Sequence, residues 1–303
     1  MSYDPTDSQA MMLKGYLTEM PPLTDIFSVK GKVALVTGGT GGLGFCVTKR
    51  LLEGGARVMT ASYSEKEAEN TLGILEEIGY GPDRVQFCKV DVTDEESVRQ
   101  MVDYTDRTFG TIDILVTAAA IWNYAHIYDL PAEEFEKVVN VNLNGTFRTV
   151  KHVSKYMKEH GVAGKMTLIS SNCAWIPYPT FGGYAHYAAS KGGVNALAIE
   201  AARELKRFGI KVNAVAPGGM ATPGATSNLV LDCLPEEEQD ALYNEISTPQ
   251  LDEIKSVDSV ARVVYMMCTD FVDGITGECI VPDNGMTHNI QTYQPEIAQY
   301  PED

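Results

Sequence analysis

Lys32-Val-Ala-Leu-Val-Thr37, running directly into Gly38-Gly-Thr-Gly-Gly-Leu-Gly44, decides how this chain is read. The first part is a short apolar run bounded by glycines, the pattern of a buried strand. A helix is predicted from Gly42 to about Glu53. A glycine-rich turn between strand and helix lets backbone amides approach a pyrophosphate, and the helix N-terminus adds positive potential. The turn alone could be merely tight. In its strand–turn–helix setting it favours dinucleotide binding, with Gly38, Thr40, Gly42, Leu43 and Gly44 as contacts.

Working outward, strand and helix patterns alternate. Strands are predicted at Arg57 to Ala61, Val85 to Val90, Ile112 to Thr117, Lys165 to Ser170, Lys211 to Ala216 and Cys279 to Val281. Helices are predicted at Glu65 to Ile78, Asp94 to Phe109, Ala132 to about His160, Tyr184 to Phe208 and Val257 to Met267. Repeated units with apolar strands imply an α/β fold: a doubly wound, Rossmann-type parallel sheet with helices on both faces. Short connections favour one domain spanning 1–303. Residues 218–250 are too long for an ordinary connection and read as a substrate lid. Residues 1–29 form an N-terminal extension, in which Met11, Met12, Leu13 and Leu17 are expected to make a short helix that packs on something. Residues 286–303 form a C-terminal tail. One or both extensions are expected to cover a subunit interface or the pocket mouth.

Composition narrows the function. A net charge of −17 argues against nucleic acid, anionic lipid and an acidic carrier protein as partners. No apolar run is long enough for a transmembrane helix, and the N-terminus does not read as a signal peptide. The six scattered cysteines lack zinc-site spacing, so no metal is expected, and reduced thiols in a cytoplasm are the plain reading.

Tyr187-Ala-Ala-Ser-Lys191 places a phenol and an ammonium about one helical turn apart. A neighbouring cation favours the phenolate, so the Tyr187 pKa is expected to fall. The glycine spacing, Gly38-x-x-x-Gly42-x-Gly44, differs from the general Gly-x-Gly-x-x-Gly fingerprint. With Asp91-Val92, Val141-Asn-Leu-Asn-Gly145, Ser171, the Tyr187/Lys191 pair, Pro217-Gly218 and Thr276-Gly277 following in order, the chain from about Lys30 to Gly285 resembles the short-chain dehydrogenase/reductase family. The resemblance implies a catalytic set of Asn142, Ser171, Tyr187 and Lys191. Tyr187 would exchange a proton with a carbonyl or alcohol oxygen, Ser171 would hydrogen-bond that oxygen, Lys191 would hold the nicotinamide ribose, and Asn142 would position a water between Lys191 and solvent. Asp91 and Val92 would meet the adenine, and Thr222 would lie near the nicotinamide amide. Pro217, Gly218, Ala118 and Ala119 complete the implied cofactor contacts. The resemblance also implies a homotetramer or homodimer.

Two departures stand out. Thr117-Ala-Ala-Ala120 replaces the family's Asn-Asn-Ala-Gly, which puts local packing there in doubt. Ser62, followed by Tyr63, stands where NAD enzymes carry an acidic residue that binds the ribose. A carboxylate would repel a 2′-phosphate and Ser62 would not, so NADP(H) is expected over NAD(H); Lys66 is the nearest basic candidate.

Large apolar groups mark the expected substrate wall: Trp122 and Tyr124 after the fourth strand, then Cys173, Trp175, Tyr178, Phe181 and Tyr184, with Met220 in the lid. His186 is read as structural. The expected reaction is interconversion of a secondary alcohol and a ketone on a bulky cyclic substrate of hydroxysteroid, bile acid or polyphenol type. A polyol, sugar or other small carbonyl is the alternative, and a catalytically silent dinucleotide-binding regulator is the alternative from another class. A sugar-nucleotide epimerase or dehydratase is disfavoured by the glycine spacing and the absence of a larger substrate domain.

Overall fold

The computed structural model describes residues 8–176, 183–220, 222, 257–285 and 287. Seven strands form one sheet: β1 Val33–Thr37, β2 Arg57–Ser62, β3 Val85–Lys89, β4 Ile114–Thr117, β5 Lys165–Ile169, β6 Lys211–Val215 and β7 Cys279–Ile280. Their spatial order is β3-β2-β1-β4-β5-β6-β7, and every pairing is parallel.

The helices are α1 Ser8–Glu19, α2 Leu23–Ile26, α3 Gly42–Glu53, α4 Glu65–Glu77, α5 Glu95–Phe109, α6 Ala132–Val139, α7 Gly145–Glu159, α8 Ala185–Leu205 and α9 Val257–Met267. Side chains alternate across a strand, so β1 feeds two cores. Val33 and Leu35 join the layer built with α5, α7 and α8, while Ala34 and Val36 join the layer built with α3 and α9. Both faces of the sheet are therefore covered, which explains why β1 reads as an unbroken apolar run. Strand order reverses between β1 and β4, and a crevice opens beyond their carboxyl ends, the usual ligand position in such sheets.

Two details differ from the sequence reading. The predicted helix over Ala132 to His160 contains a wide π turn at Asn140–Asn144, where the Gly145 N–H reaches back to the Asn140 carbonyl. Helix α1 forms, but Met11, Met12, Leu13 and Leu17 are all more than half exposed rather than packed. Three of them are consecutive, so they point around the helix instead of along one stripe. Thr117 opens the Thr-Ala-Ala-Ala departure, and its hydroxyl is buried with no hydrogen-bond partner among the described residues. That leaves a cost of about 1–3 kcal/mol in the central sheet. Most of 218–250, the whole stretch 288–303, and Tyr178 and Phe181 lie outside the described residues.

Candidate active site

The glycine turn sets the floor of the crevice. Gly38 has φ +69°, and a Cβ there would stand 2.6 Å from the Ala119 backbone nitrogen. A Cβ on Gly44 would stand 2.0 Å from the Gly38 carbonyl oxygen. Both neighbours are backbone, so only glycine allows β1, β4 and α3 to meet this closely. Gly41, which precedes α3, offers no side-chain cap. The first amides of α3 are thus left to whatever occupies the crevice.

That crevice is a cleft of about 1070 Å³. Gly38, Thr40, Gly42, Leu43, Gly44, Ser62, Tyr63, Asp91, Val92, Ala118, Ala119, Pro217, Gly218 and Thr222 all line it, as do Ser171, Tyr187 and Lys191. Thr222, at the start of the lid segment, packs its side chain against Gly42. Thr40 donates to the Ser62 hydroxyl at 3.0 Å, and Thr71 on α4 donates to the Thr40 carbonyl at 2.7 Å. The Asp91 carboxylate accepts from the Thr93 N–H at 2.8 Å and the Thr93 hydroxyl at 2.6 Å.

Tyr187 and Lys191 share one face of α8. Lys191 is 2% exposed, its Nζ donates to the Ile169 carbonyl at 2.9 Å, and it lies 5.6 Å from the centre of the Tyr187 ring. Ser171, just past β5, accepts from the Cys173 N–H at 3.2 Å, which leaves its own O–H free to donate. Asn142 lies beneath the cleft wall and is fully buried. Its carboxamide donates to the Ile121 carbonyl at 2.9 Å and to Ser190 Oγ at 3.1 Å, and accepts from the Ile121 N–H at 2.8 Å. Both carboxamide hydrogens are thereby used. Asn142 is thereby a latch between the β4 end and α8.

The expected fall in the Tyr187 pKa is reversed here. Burial pushes the phenol well above its ordinary value, and the adjacent Ser171 hydroxyl offsets only part of that. Burial also lowers Lys191 to about 8, so its ammonium is itself weakened as a neighbour. The Cys173 thiol is raised by burial, which suits a wall residue and not a nucleophile.

On the expected substrate side, the Trp122 ring lies 6.0 Å from Tyr187, and Tyr184 meets Tyr187 edge-on at 6.1 Å. Met220 lines the cleft. Tyr124 is buried and packs edge-on against Tyr184 at 6.1 Å, so it backs the wall instead of facing the ligand. Trp175 is 48% exposed. Tyr178 falls outside the described residues. The sequence reading missed Ser64, Glu67, Asn70 and Thr93 in the cleft wall. Ser64-Glu-Lys-Glu67 is a helix-start signature that could have found two of them: the Ser64 hydroxyl accepts the Glu67 N–H at 3.3 Å, which turns that corner of α4 toward the cleft.

Residues 32–229 match the family model described as short chain dehydrogenase. The chain is 33% identical to the 3alpha-hydroxysteroid dehydrogenase of Mediterraneibacter gnavus, over 84% of this chain and 96% of that protein. It is 31% identical to a 3-oxoacyl-[acyl-carrier-protein] reductase of Thermotoga maritima, over 85% of this chain and 98% of that protein. Among solved structures, gox2181 superposes with a TM-score of 0.77 at 31% identity, covering 86% of this chain and 98% of its own. Levodione reductase does so with a TM-score of 0.75 at 29% identity, covering 86% and 99%. This chain belongs to the short-chain dehydrogenase/reductase family. It is an oxidoreductase acting on CH–OH groups, in a family that uses a nicotinamide dinucleotide. The uncapped start of α3 and the glycine cradle fit the pyrophosphate of such a group. Among the described residues, no helix is long and apolar enough to cross a membrane.

Gly44→Ala should lower stability by about 1–3 kcal/mol and weaken dinucleotide binding more than about tenfold, because backbone on both sides blocks relief. Gly41→Ala should leave stability unchanged, since its Cβ meets nothing within 4 Å. Denaturant unfolding and calorimetric titration read the two effects.

Proposed function

We propose that the protein interconverts a secondary alcohol and a ketone, with Tyr187 as the proton donor and acceptor. One observation carries this reading: the Tyr187 phenol, the Lys191 ammonium and the Ser171 hydroxyl sit together on the cleft whose floor is the glycine turn. A bound nicotinamide dinucleotide supplies or accepts the hydride and, when oxidised, carries a positive charge. Gly38, Thr40, Gly42, Leu43, Gly44, Asp91, Val92, Ala118, Ala119, Pro217, Gly218 and Thr222 would hold it, with Lys191 toward its ribose. Tyr187 gives its phenolic proton to the carbonyl oxygen in reduction and takes it back in oxidation. Ser171 donates a hydrogen bond to the same oxygen as negative charge builds there. Asn142 fixes both sides of the pocket through Ile121 and Ser190. A phenol pKa raised by burial favours the protonated form, the one needed to reduce a ketone.

The substrate in this reading is bulky, cyclic and largely apolar. Trp122, Tyr184 and Met220 supply the supporting surface, with Cys173 and Trp175 nearby in sequence. Similarity to a 3alpha-hydroxysteroid dehydrogenase and to levodione reductase points the same way. The reading includes a cytoplasmic homotetramer or homodimer, the setting inferred from the sequence.

For the dinucleotide, we infer NADP(H) over NAD(H), because Ser62 and Tyr63 put no carboxylate at the end of β2. Two features oppose a strong preference: Glu67 lines that end of the cleft, and Lys66 does not.

Tyr187→Phe should reduce turnover by about a thousandfold, within the range for loss of a positioned acid, while dinucleotide binding persists. Retention of turnover in a steady-state assay with a steroid ketone would remove Tyr187 from the chemistry.

The pH profile follows from Lys191. Its lowered pKa means the ammonium is complete only well below about 8 and loses charge as pH rises through that value. The kcat/KM for the reduced dinucleotide, which reports the free enzyme, should therefore fall on the alkaline side near pH 8, and Lys191→Met should lack that limb.

Opposed contributions from Ser62 and Glu67 predict an NADPH over NADH ratio in kcat/KM of no more than about tenfold, about 1.4 kcal/mol. Ser62→Asp should reverse it and Glu67→Gln should increase it. A wild-type preference for NADH would count against the Ser62 reading.

A further inference from the structure

His186 precedes Tyr187 on α8 and is fully buried. Its Nε2 lies 2.5 Å from Asn123 Oδ1. Asn123 donates through Nδ2 to Glu134 Oε2 at 3.2 Å. A carboxylate can only accept, so the amide nitrogen faces Glu134 and the amide oxygen faces the histidine. That oxygen also only accepts, so Nε2 is the donor. Burial holds the imidazole pKa below its ordinary value and keeps it neutral. Its Nδ1 is then a bare acceptor, buried and with no partner among the described residues. Such an atom costs about 1–3 kcal/mol. An apolar side chain could occupy the same space without that cost, so packing alone does not account for an imidazole here.

Asn123 lies between two aromatic residues of the pocket. Trp122 lines the cleft with its ring 6.0 Å from Tyr187. Tyr124 covers Gly183 so closely that a Cβ there would stand 2.0 Å from its ring, and the Ala125 N–H donates to the Gly183 carbonyl at 3.1 Å. Ile121 is held from the other side by Asn142. The His186–Asn123 bond joins the residue after Trp122 to the helix bearing Tyr187, as the Asn142 bonds join the residue before it to Ser190 on the same helix.

We propose that His186 is a positioning residue for the substrate: its Nε2–H bond to Asn123 holds the Trp122 wall against Tyr187 and sets how large a ring fits between them. This deepens the reading of Tyr187 as the proton donor and rests on it for its kinetic consequence.

The test combines a spectroscopic signal that needs no turnover with a kinetic one. The chain has two tryptophans, so Trp175→Phe leaves Trp122 as the sole indole fluorophore. In that background, His186→Leu should raise acrylamide quenching of Trp122 about twofold or more. In the otherwise native enzyme it should raise KM for a steroid ketone about tenfold, with kcat within about twofold and dinucleotide affinity unchanged, the pattern of lost ground-state binding. His186→Gln, which keeps a donor near the Nε2 position, should restore both readouts. Asn123→Leu should reproduce His186→Leu, and the double variant should be no worse than either single one. If His186→Leu does not fold, Asn123→Leu reads the same link from the loop side. Unchanged Trp122 quenching in the folded variants, a fall in kcat at constant KM, or a glutamine variant no better than leucine would each overturn the proposal. Loss of all ketone turnover in wild type would refute the Tyr187 reading and leave the quenching result to decide the link.

Discussion

The buried carboxamide of Asn142 is the interaction on which the rest of the site depends. It makes three hydrogen bonds, two to the Ile121 backbone and one to Ser190. Ser190 in turn donates to the Tyr187 carbonyl at 2.7 Å, so one amide ties the segment after β4 to the turn of α8 that carries the phenol. A fully buried amide is costly unless its groups are paired, and here the pairing also fixes a distance. The π turn at Asn140–Asn144 accompanies this placement. One extra residue in a turn re-aims side chains, and such turns recur at functional sites. The Asn142 carbonyl also accepts from the Thr146 hydroxyl at 2.7 Å, which gives the widened turn a polar partner inside the helix.

Electrostatics in the cleft then follow from burial more than from the Tyr187/Lys191 spacing. Spacing alone suggests an ammonium that sharpens a phenol. In the folded chain, desolvation acts against both charged forms: it lowers the lysine and raises the tyrosine. The two effects have one cause, removal from water, and together they leave a site that is short of charge before ligands bind. Lys191, which lines the cleft, spends one N–H on the Ile169 carbonyl. A protein that buries an ammonium with only carbonyl partners gains from any ligand that offers oxygen acceptors or complementary charge. Sugar hydroxyls and a polarised carbonyl have that chemistry.

How much of this was legible in the sequence depended on how local the cause was. The α3 and α9 boundaries were read correctly because glycine turns and apolar periodicity mark them within a few residues. The cleft floor was legible for the same reason: close backbone approach at Gly38 and Gly44 is written in a single heptapeptide. The wide turn inside the long helix was not, since its apolar spacing fits an ordinary helix; the alternating Asn140, Asn142 and Asn144 were the only local hint. The latch and the His186–Asn123 bond were out of reach. Their partners lie 21, 48 and 63 positions apart, and only the folded sheet brings them together. Helix α1 forms as expected, but its hydrophobic residues are exposed. Hydrophobic residues were counted there, but their angular spread around the helix decides whether they can share one contact face.

This division between local and distant causes bears on how relatives named for different substrates align with most of this chain. The floor is constrained at the level of backbone: a methyl group at Gly44 meets a carbonyl oxygen, and no neighbouring side chain can yield to admit it. The wall is held chiefly by side chains, with one backbone bond from Ala125 to Gly183. Trp122 stands on a loop, tied at Ile121 by Asn142 and next door by Asn123 and His186. A change at Asn142 disturbs the phenol and the wall together. Asn123 and His186 touch the wall segment and are not among the residues that line the floor. On the proposed roles, substrate choice is set through the second kind of bond and the chemistry is held by the first. In this chain, that second kind of bond depends on a buried imidazole with one nitrogen left unpaired among the described residues.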